Sequence, residues 1–192
     1  MGSIEALTHL TPLIELLRDT DSGVRLAAVR AIAAVGVGAE RACGPLMGVL
    51  QDADVLDELR QHAAVALGCI DDVRQRLDEC VDVRPAAEIE PVMDALVGAA
   101  CGDAAPSVRV AALQALRRVT EGAWRLNSAH TAALQQLLLE SLPGSEVRIS
   151  AEADAQPLLY EAAHNRARQT WPLKRSRRAS WAAAADWGQL RL

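Results

Sequence analysis

One pattern recurs four times along the chain, and it constrains the fold more than any other feature of the sequence. Each copy begins with an aliphatic residue and an arginine, and the four arginines are Arg25, Arg60, Arg109 and Arg148. After the first three, small residues follow at three and six positions and an aliphatic residue at seven. Because these offsets lie on one face of an α-helix, the pattern predicts a series of related amphipathic helices. The fourth copy is the weakest.

A second amphipathic segment precedes each of these helices, and a short polar turn separates the two. Residues 19–23 and 52–54 are examples of the turn, and their Asp, Ser and Gly residues can cap the helix that follows. Pro12, Pro45 and Pro91 fall early in the first helix of three units, where a proline in the first turn costs little. The sequence therefore predicts units of two helices each.

Composition supports an all-α fold. The chain has 192 residues, of which 51% are hydrophobic but only 3% aromatic, and Phe is absent. The core must be built from Ala, Leu, Val and Ile, which suit closely packed helices. The β-branched and aromatic strands with regular turns that a β-sandwich needs are missing.

The first unit, from Leu10 to Ile32, resembles a HEAT repeat nearly position for position, and residues 42–46 resemble the glycine-containing entry of an armadillo repeat. The spacings of 35, 49 and 39 residues between successive repeat arginines lie on both sides of the HEAT and armadillo length of roughly 40–47 residues. The resemblance implies a right-handed α-solenoid of about four HEAT/armadillo-like helix pairs, each covering its neighbour's apolar face.

These repeats predict a domain over residues 4–164, followed by a basic tail over residues 165–192. The predicted units are about 4–38, 39–70, 86–121 and 127–163. For the insertion at 71–85 we expect a helix to about Cys80 and then a loop closed by Pro85. Residues 35–38 contain two glycines that predict a helix-ending turn.

The repeat arginines have two interpretations. The resemblance to HEAT repeats implies that each pairs with an aspartate in the turn of its own or the next unit. The expected partners are Asp19, Asp21, Asp52, Asp54 and Asp103. The alternative is a cationic groove for an acidic ligand, and we favour the structural interpretation.

The net charge of −5 conceals a strong asymmetry between the body and the tail. Residues 165–192 hold seven Lys or Arg and one acid, which leaves 13 basic and 24 acidic residues elsewhere. Tryptophan and arginine are enriched at binding hot spots, and disordered segments are usually poor in aromatics. We predict that the tail docks on an acidic partner or on the acidic body, a solvated disordered tail being the alternative. The residues predicted to dock are Trp171, Arg175, Arg177, Arg178, Trp181 and Trp187.

Ser180 follows two arginines and a spacer, a pattern that resembles the site of a basophilic kinase. It is a candidate phosphosite, where a phosphate would add about −1.5 to −2 charge to the basic cluster.

No catalytic or cofactor motif is recognisable. The histidines and cysteines are scattered, and the chain lacks HExxH, CxxC, GxSxG and a glycine-rich phosphate loop. Glu161 and His164 are spaced like a metal-ligand pair on a helix, which we interpret as a surface hydrogen bond. We expect no enzymatic activity, no cofactor and no metal. Without a signal peptide or a long apolar stretch, we also expect a cytoplasmic, reducing location and no membrane contact.

We therefore expect a protein–protein interaction scaffold, a subunit of a larger intracellular complex, with a groove lined by the second helices. The outward candidates there are Arg30, Gln61, Gln114, Arg117 and Arg118. Small armadillo-like proteins are common in microtubule and ciliary assemblies, and the acidic tails of tubulin would suit the basic tail. One alternative is a nucleic-acid-binding HEAT-like protein that uses its tail, although the acidic body opposes this. Another is a HEAT module of the phycobilin lyase type.

Overall fold

The computed structural model describes residues 10–72, 86–120 and 126–140, together with the single positions Val147, Asp154 and Leu159. Within these ranges the regular structure is helical and no strand occurs, which confirms the predicted all-α fold. The helices are α1 (described over 10–16), α2 (Ser22–Val35), α3 (Cys43–Gln51, preceded by a 3₁₀ turn at Glu40–Ala42), α4 (Asp57–Ile70), α5 (Ala86–Gly102), α6 (Pro106–Thr120) and α7 (Ser128–Glu140).

The helices form two layers. One layer contains α2, α4 and α6, each packed against the next, and the other contains α3, α5 and α7 in the same order. Within a unit, α3 packs against α4 and α5 against α6. Each helix pair therefore covers the apolar face of its neighbour, which is the arrangement of an α-solenoid. The layer of α2, α4 and α6 is called the second-helix layer below, and the other is the first-helix layer.

Small side chains line the contacts within the second-helix layer. Ala28, Ala63 and Ala112 stand three positions after their repeat arginines and are 2%, 0% and 0% exposed, which confirms the predicted repeat phase. The closest approach is at Gly68 of α4, where an added Cβ would lie 2.8 Å from Cα of Ala115. The helices α4 and α6 can therefore cross so closely only because residue 68 has no side chain.

The helix ends largely follow the sequence. The carboxylate of Asp21 caps α2, because its Oδ1 accepts from the backbone N–H groups of Gly23 at 2.7 Å and Val24 at 3.3 Å. The helix ends at Val35, and Gly36 follows with a φ of 61° while its N–H donates to the carbonyl of Ile32. The helix-ending turn predicted at the two glycines is thereby confirmed.

Pro91 departs from the prediction. It lies inside α5 and not in its first turn, because the helix begins at Ala86. The ring of Pro91 leaves the carbonyl of Ala87 without its usual donor. Both residues are exposed, so water can reach that carbonyl. Residues 73–85 of the predicted insertion lie outside the described residues.

Candidate interaction surface

The repeat arginines that the structure describes all hold the turn between the two helices of their own unit. Each donates from its guanidinium to backbone carbonyls near the end of the first helix. The hydrogen bonds run from Arg25 to Asp19 and Thr20, from Arg60 to Ala53 and Val55, and from Arg109 to Ala100. Ala100 lies in the last turn of α5, where carbonyls have no partner within the helix, and the other four carbonyls belong to the turns themselves. These arginines therefore satisfy backbone groups that would otherwise be unpaired.

Arg60 also forms an ion pair with the following unit. Its Nε lies 3.0 Å from Oδ2 of Asp103 and its Nη2 lies 3.1 Å from Oδ1, a bidentate arrangement. The two side chains are 7% and 9% exposed. The hydrogen bond that Arg60 donates to Asp103 is the main reason that the pKa of Arg60 is raised above its ordinary value. The predicted pairing of a repeat arginine with an aspartate of the next turn is confirmed here.

The same pairing is wrong for Arg25 and Arg109, because neither forms an ion pair with a carboxylate in the part of the chain that the structure describes. The aspartates near Arg25 are engaged by their own turns. Oδ1 of Asp19 accepts from the N–H of Asp21 at 2.8 Å, and Oδ1 of Asp52 accepts from the N–H of Asp54 at 3.0 Å. The carboxylate of Asp21 caps α2. Arg148 lies outside the described residues.

The predicted outward residues lie on the second-helix layer. Gln114, Arg117 and Arg118 are exposed on α6, and their spacing places them on one face of that helix. Arg30 is exposed on α2, whereas Gln61 on α4 is half-buried.

Three of these side chains link neighbouring elements. Arg30 contacts Glu58 of α4 at 3.3 Å, and both side chains are more than half exposed. Arg117 lies 3.4 Å from Asp154, and Nη1 of Arg118 lies 3.2 Å from Sγ of Cys69. Arg118 forms no ion pair with any carboxylate in the described ranges, so its charge remains available to a partner.

Charge divides between the two layers, which the sequence alone did not reveal. Every arginine in the α-helices described lies in the second-helix layer, at positions 25, 30, 60, 109, 117 and 118. That layer has only two helical acids, Asp57 and Glu58, whereas α5 of the opposite layer carries three acids and no basic residue. The overall acidity of the body therefore does not extend to the surface of the second helices.

A histidine joins α5 to α7 in the first-helix layer. His130 is 4% exposed, and its Nε2 contacts Oδ1 of Asp94, a residue of α5. Its backbone N–H donates to Oδ1 of Asn127 at 2.8 Å, a cap for the start of α7. Asn127 stands at the start of an apolar segment, and an asparagine in that position is a sequence signal for the beginning of a helix.

The predicted docking residues of the tail, Ser180, and the pair Glu161 and His164 all lie outside the described residues. Within residues 10–72, 86–120 and 126–140, no three His, Cys, Asp or Glu side chains gather into a group that could hold a metal ion. Of the helices in those ranges, none has both the length and the apolar character that a membrane span requires.

Two layers of paired helices, with an arginine holding the turn of each unit, define an α-solenoid built from short repeats. Residues 10–90 match a family model described as HEAT repeats, and that stretch spans the first two units and the start of α5. Residues 10–90 of the chain are HEAT-type repeats. No curated protein matches it. HEAT repeats commonly act as protein-interaction scaffolds and are generally non-catalytic.

Proposed function

We propose that the chain is a non-catalytic protein–protein interaction scaffold and a subunit of a larger intracellular complex, with the second-helix layer as its binding surface. The observation that carries the proposal is the segregation of helical arginines into that layer. Three repeat arginines are used by the turns, so the outward basic charges are those of Arg30, Arg117 and Arg118. Arg30 pairs with Glu58 and Arg117 with Asp154, which leaves Arg118 as the outward arginine without an ion pair in the described ranges. Together with Gln61 and Gln114 they form a polar, net basic surface.

An acidic protein surface is the partner that this arrangement favours. Exposed ion pairs contribute only about 0–1 kcal/mol each, but complementary charge speeds association and orients the partner. The predicted docking residues of the tail fit the same partner, because their charge has the same sign and their tryptophans can bury apolar area. The tail and the second-helix layer would then bind one acidic partner together.

More specifically, we propose that the chain is cytoplasmic and belongs to a microtubule or ciliary assembly, because the acidic tails of tubulin offer an acidic protein surface. The direct test measures binding of the purified full chain to polymerised tubulin, with and without the acidic tails of tubulin. We expect binding that requires those tails and weakens when residues 165–192 are removed. Binding that is equally strong without the acidic tails of tubulin would contradict this location. The scaffold proposal is tested separately, by the experiment that follows.

The scaffold proposal itself is tested by affinity purification with cross-linking from cells that express the full chain. The double variant Arg117→Gln and Arg118→Gln should lose most of the specific protein partners. The control is Gln135→Ala, an exposed position on α7 of the first-helix layer, which should retain them. Equal recovery by both variants would contradict the proposed surface. Recovery of nucleic acid in place of proteins, with affinity that falls steeply with salt, would favour the nucleic-acid alternative.

A further inference from the structure

Two grooves lie between successive units at the edge where the turns are. The first groove, of about 600 Å³, is lined by Arg18, Arg25, Asp52 and an apolar floor that includes Pro45 and Leu59. The second groove, of about 480 Å³, lies one unit further along and is lined by residues that include Arg60, Ala95 and Asp103. Because the repeat places Arg25 and Arg60 at equivalent positions, the two grooves can be compared side chain by side chain.

In the second groove both edges of the guanidinium are occupied. Nη1 of Arg60 donates to the carbonyls of its own turn, while the edge formed by Nε and Nη2 receives the carboxylate of Asp103. That carboxylate is fixed by its own turn as well, since Oδ1 of Asp103 accepts from the N–H of Ala105 at 2.8 Å. An aspartate within a turn therefore fits this edge of a repeat arginine.

In the first groove only one edge is occupied. Nη1 of Arg25 donates to the carbonyls of Asp19 at 2.7 Å and Thr20 at 3.1 Å, just as Nη1 of Arg60 holds its own turn. The Nε of Arg25 is buried and has no hydrogen-bond partner, and within the described residues its Nη2 donates to none. A buried charged donor without a partner is costly, so this edge would gain from a carboxylate.

The chain's own aspartate does not fill the position. Asp52 follows α3 as Asp103 follows α5, and it lines the first groove. Its Oδ1 caps its own turn through the N–H of Asp54, as the carboxylate of Asp103 caps through Ala105, but it forms no ion pair with Arg25 in the described part of the chain. Gly44 and Gly48 line the same groove, and a Cβ on either would meet nothing within 4 Å. The groove therefore has open space along α3, and a small movement of its lining side chains would let a carboxylate reach the Nε of Arg25, which is closed to solvent in the structure.

We propose that the first groove is a docking site for an acidic side chain of a protein partner, whose carboxylate binds the Nε and Nη2 edge of Arg25. The inference rests on the proposed scaffold function and names the chemistry of one contact. An internal aspartate or glutamate fits better than a chain terminus, because Asp103, the occupant of the equivalent edge, is internal. Asp19 and Asp52 also line the groove and disfavour a uniformly acidic ligand, so aliphatic neighbours over Pro45 and Leu59 complete the match.

The chain itself supplies the probe. A capped peptide with the sequence of residues 102–108, Gly-Asp-Ala-Ala-Pro-Ser-Val, copies the turn that fills the edge of Arg60. Titration of this peptide into the ¹⁵N-labelled full chain should shift the Nε–H signal of Arg25. The matched peptide with Asn in place of Asp should bind about tenfold more weakly or worse, because a hydrogen-bonded charge pair is lost.

Variants of the full chain complete the test. Arg25→Gln removes the charge, and Arg25→Lys keeps the charge but not the bidentate edge, so both should lose the preference for the Asp peptide. The control Arg41→Gln changes an exposed arginine in the 3₁₀ turn before α3, outside the first groove and the second-helix layer, and should leave the preference unchanged. Equal binding of the two peptides by the unaltered chain would overturn the proposal without requiring any variant to fold. An equal loss in Arg25→Gln and Arg41→Gln would also overturn it, because the preference would then reflect general electrostatics and not the contact with Arg25. Either result would leave the scaffold proposal intact, since that depends on partner recovery by the variants of α6.

Discussion

The first and second grooves place the same residue types at equivalent positions, yet their ion pairs differ. Arg60 and Asp103 form a bidentate pair that is nearly buried, whereas Arg25 and Asp52 line their groove without pairing. What the two sites share is the bond from the arginine to its own turn. The comparison indicates that holding the turn is the general task of the repeat arginine. The ion pair between units is an additional contact, which Arg60 forms and Arg25 does not.

The largest difference is expected from Arg60→Ala. This change leaves the buried carboxylate of Asp103 without its partner, and breaking a buried pair costs roughly 3–5 kcal/mol. Arg25→Ala removes only bonds to backbone carbonyls, so we expect a loss of about 0.5–1.5 kcal/mol. Chemical denaturation of the two variants beside the unaltered chain measures both values. Equal losses would mean that the two grooves are energetically alike and that the comparison fails.

The next effect concerns the crossing of α4 and α6, the helices on either side of the second groove. Gly68→Ala should destabilise the chain by about 1–3 kcal/mol, because the new Cβ would lie 2.8 Å from Cα of Ala115 and the helices must move apart. Alanine alone would favour the helix by up to about 1 kcal/mol.

The matched control is Gly98→Ala, because a Cβ at that position of α5 meets nothing within 4 Å. It should be neutral or stabilising by up to about 1 kcal/mol. Thermal unfolding of both variants under one set of conditions decides the matter. A stable Gly68→Ala variant would show that the two units are packed more loosely than described.

The sequence predicted the helix pairs and the repeat phase, which places Ala63 and Ala112 at equivalent positions, because both depend on the period of a single helix. It did not predict the close approach at Gly68, although an isolated glycine within a helical pattern is a signal of packing. The sequence also did not predict which arginine pairs with which aspartate. That choice depends on the relative position of two units, and the turn residues of both look alike in the sequence.

The charge of the candidate surface could not be predicted from the sequence either. The body as a whole is acidic, which on the sequence alone opposes nucleic acid as its ligand. Arginines and acids separate only when the helices are assigned to layers, as α5 and α6 illustrate: the first carries acids alone and the second arginines alone. Net charge describes a whole chain, whereas a partner meets one face.

The smallest expected effect is at the exposed contact between Arg30 and Glu58. Both side chains are more than half exposed, so removing the pair by Glu58→Gln should change the free energy of unfolding by about 0–1 kcal/mol, and less at high salt. Denaturation at low and high salt checks this value. A loss as large as that of Arg60→Ala would show that surface pairs also hold the units together, which would remove the distinction between the two grooves.

The most direct test of the distinction is a pair of double-mutant cycles on the free energy of unfolding. One cycle combines Arg60→Ala with Asp103→Ala, and the other combines Arg25→Ala with Asp52→Ala. Directly paired residues couple by about 0.5–3 kcal/mol, while independent sites add to within about 0.3–0.5 kcal/mol. We expect strong coupling between Arg60 and Asp103 and additive effects for Arg25 and Asp52. Equal coupling in both cycles would contradict the account, because the first groove would then be closed by the chain's own aspartate.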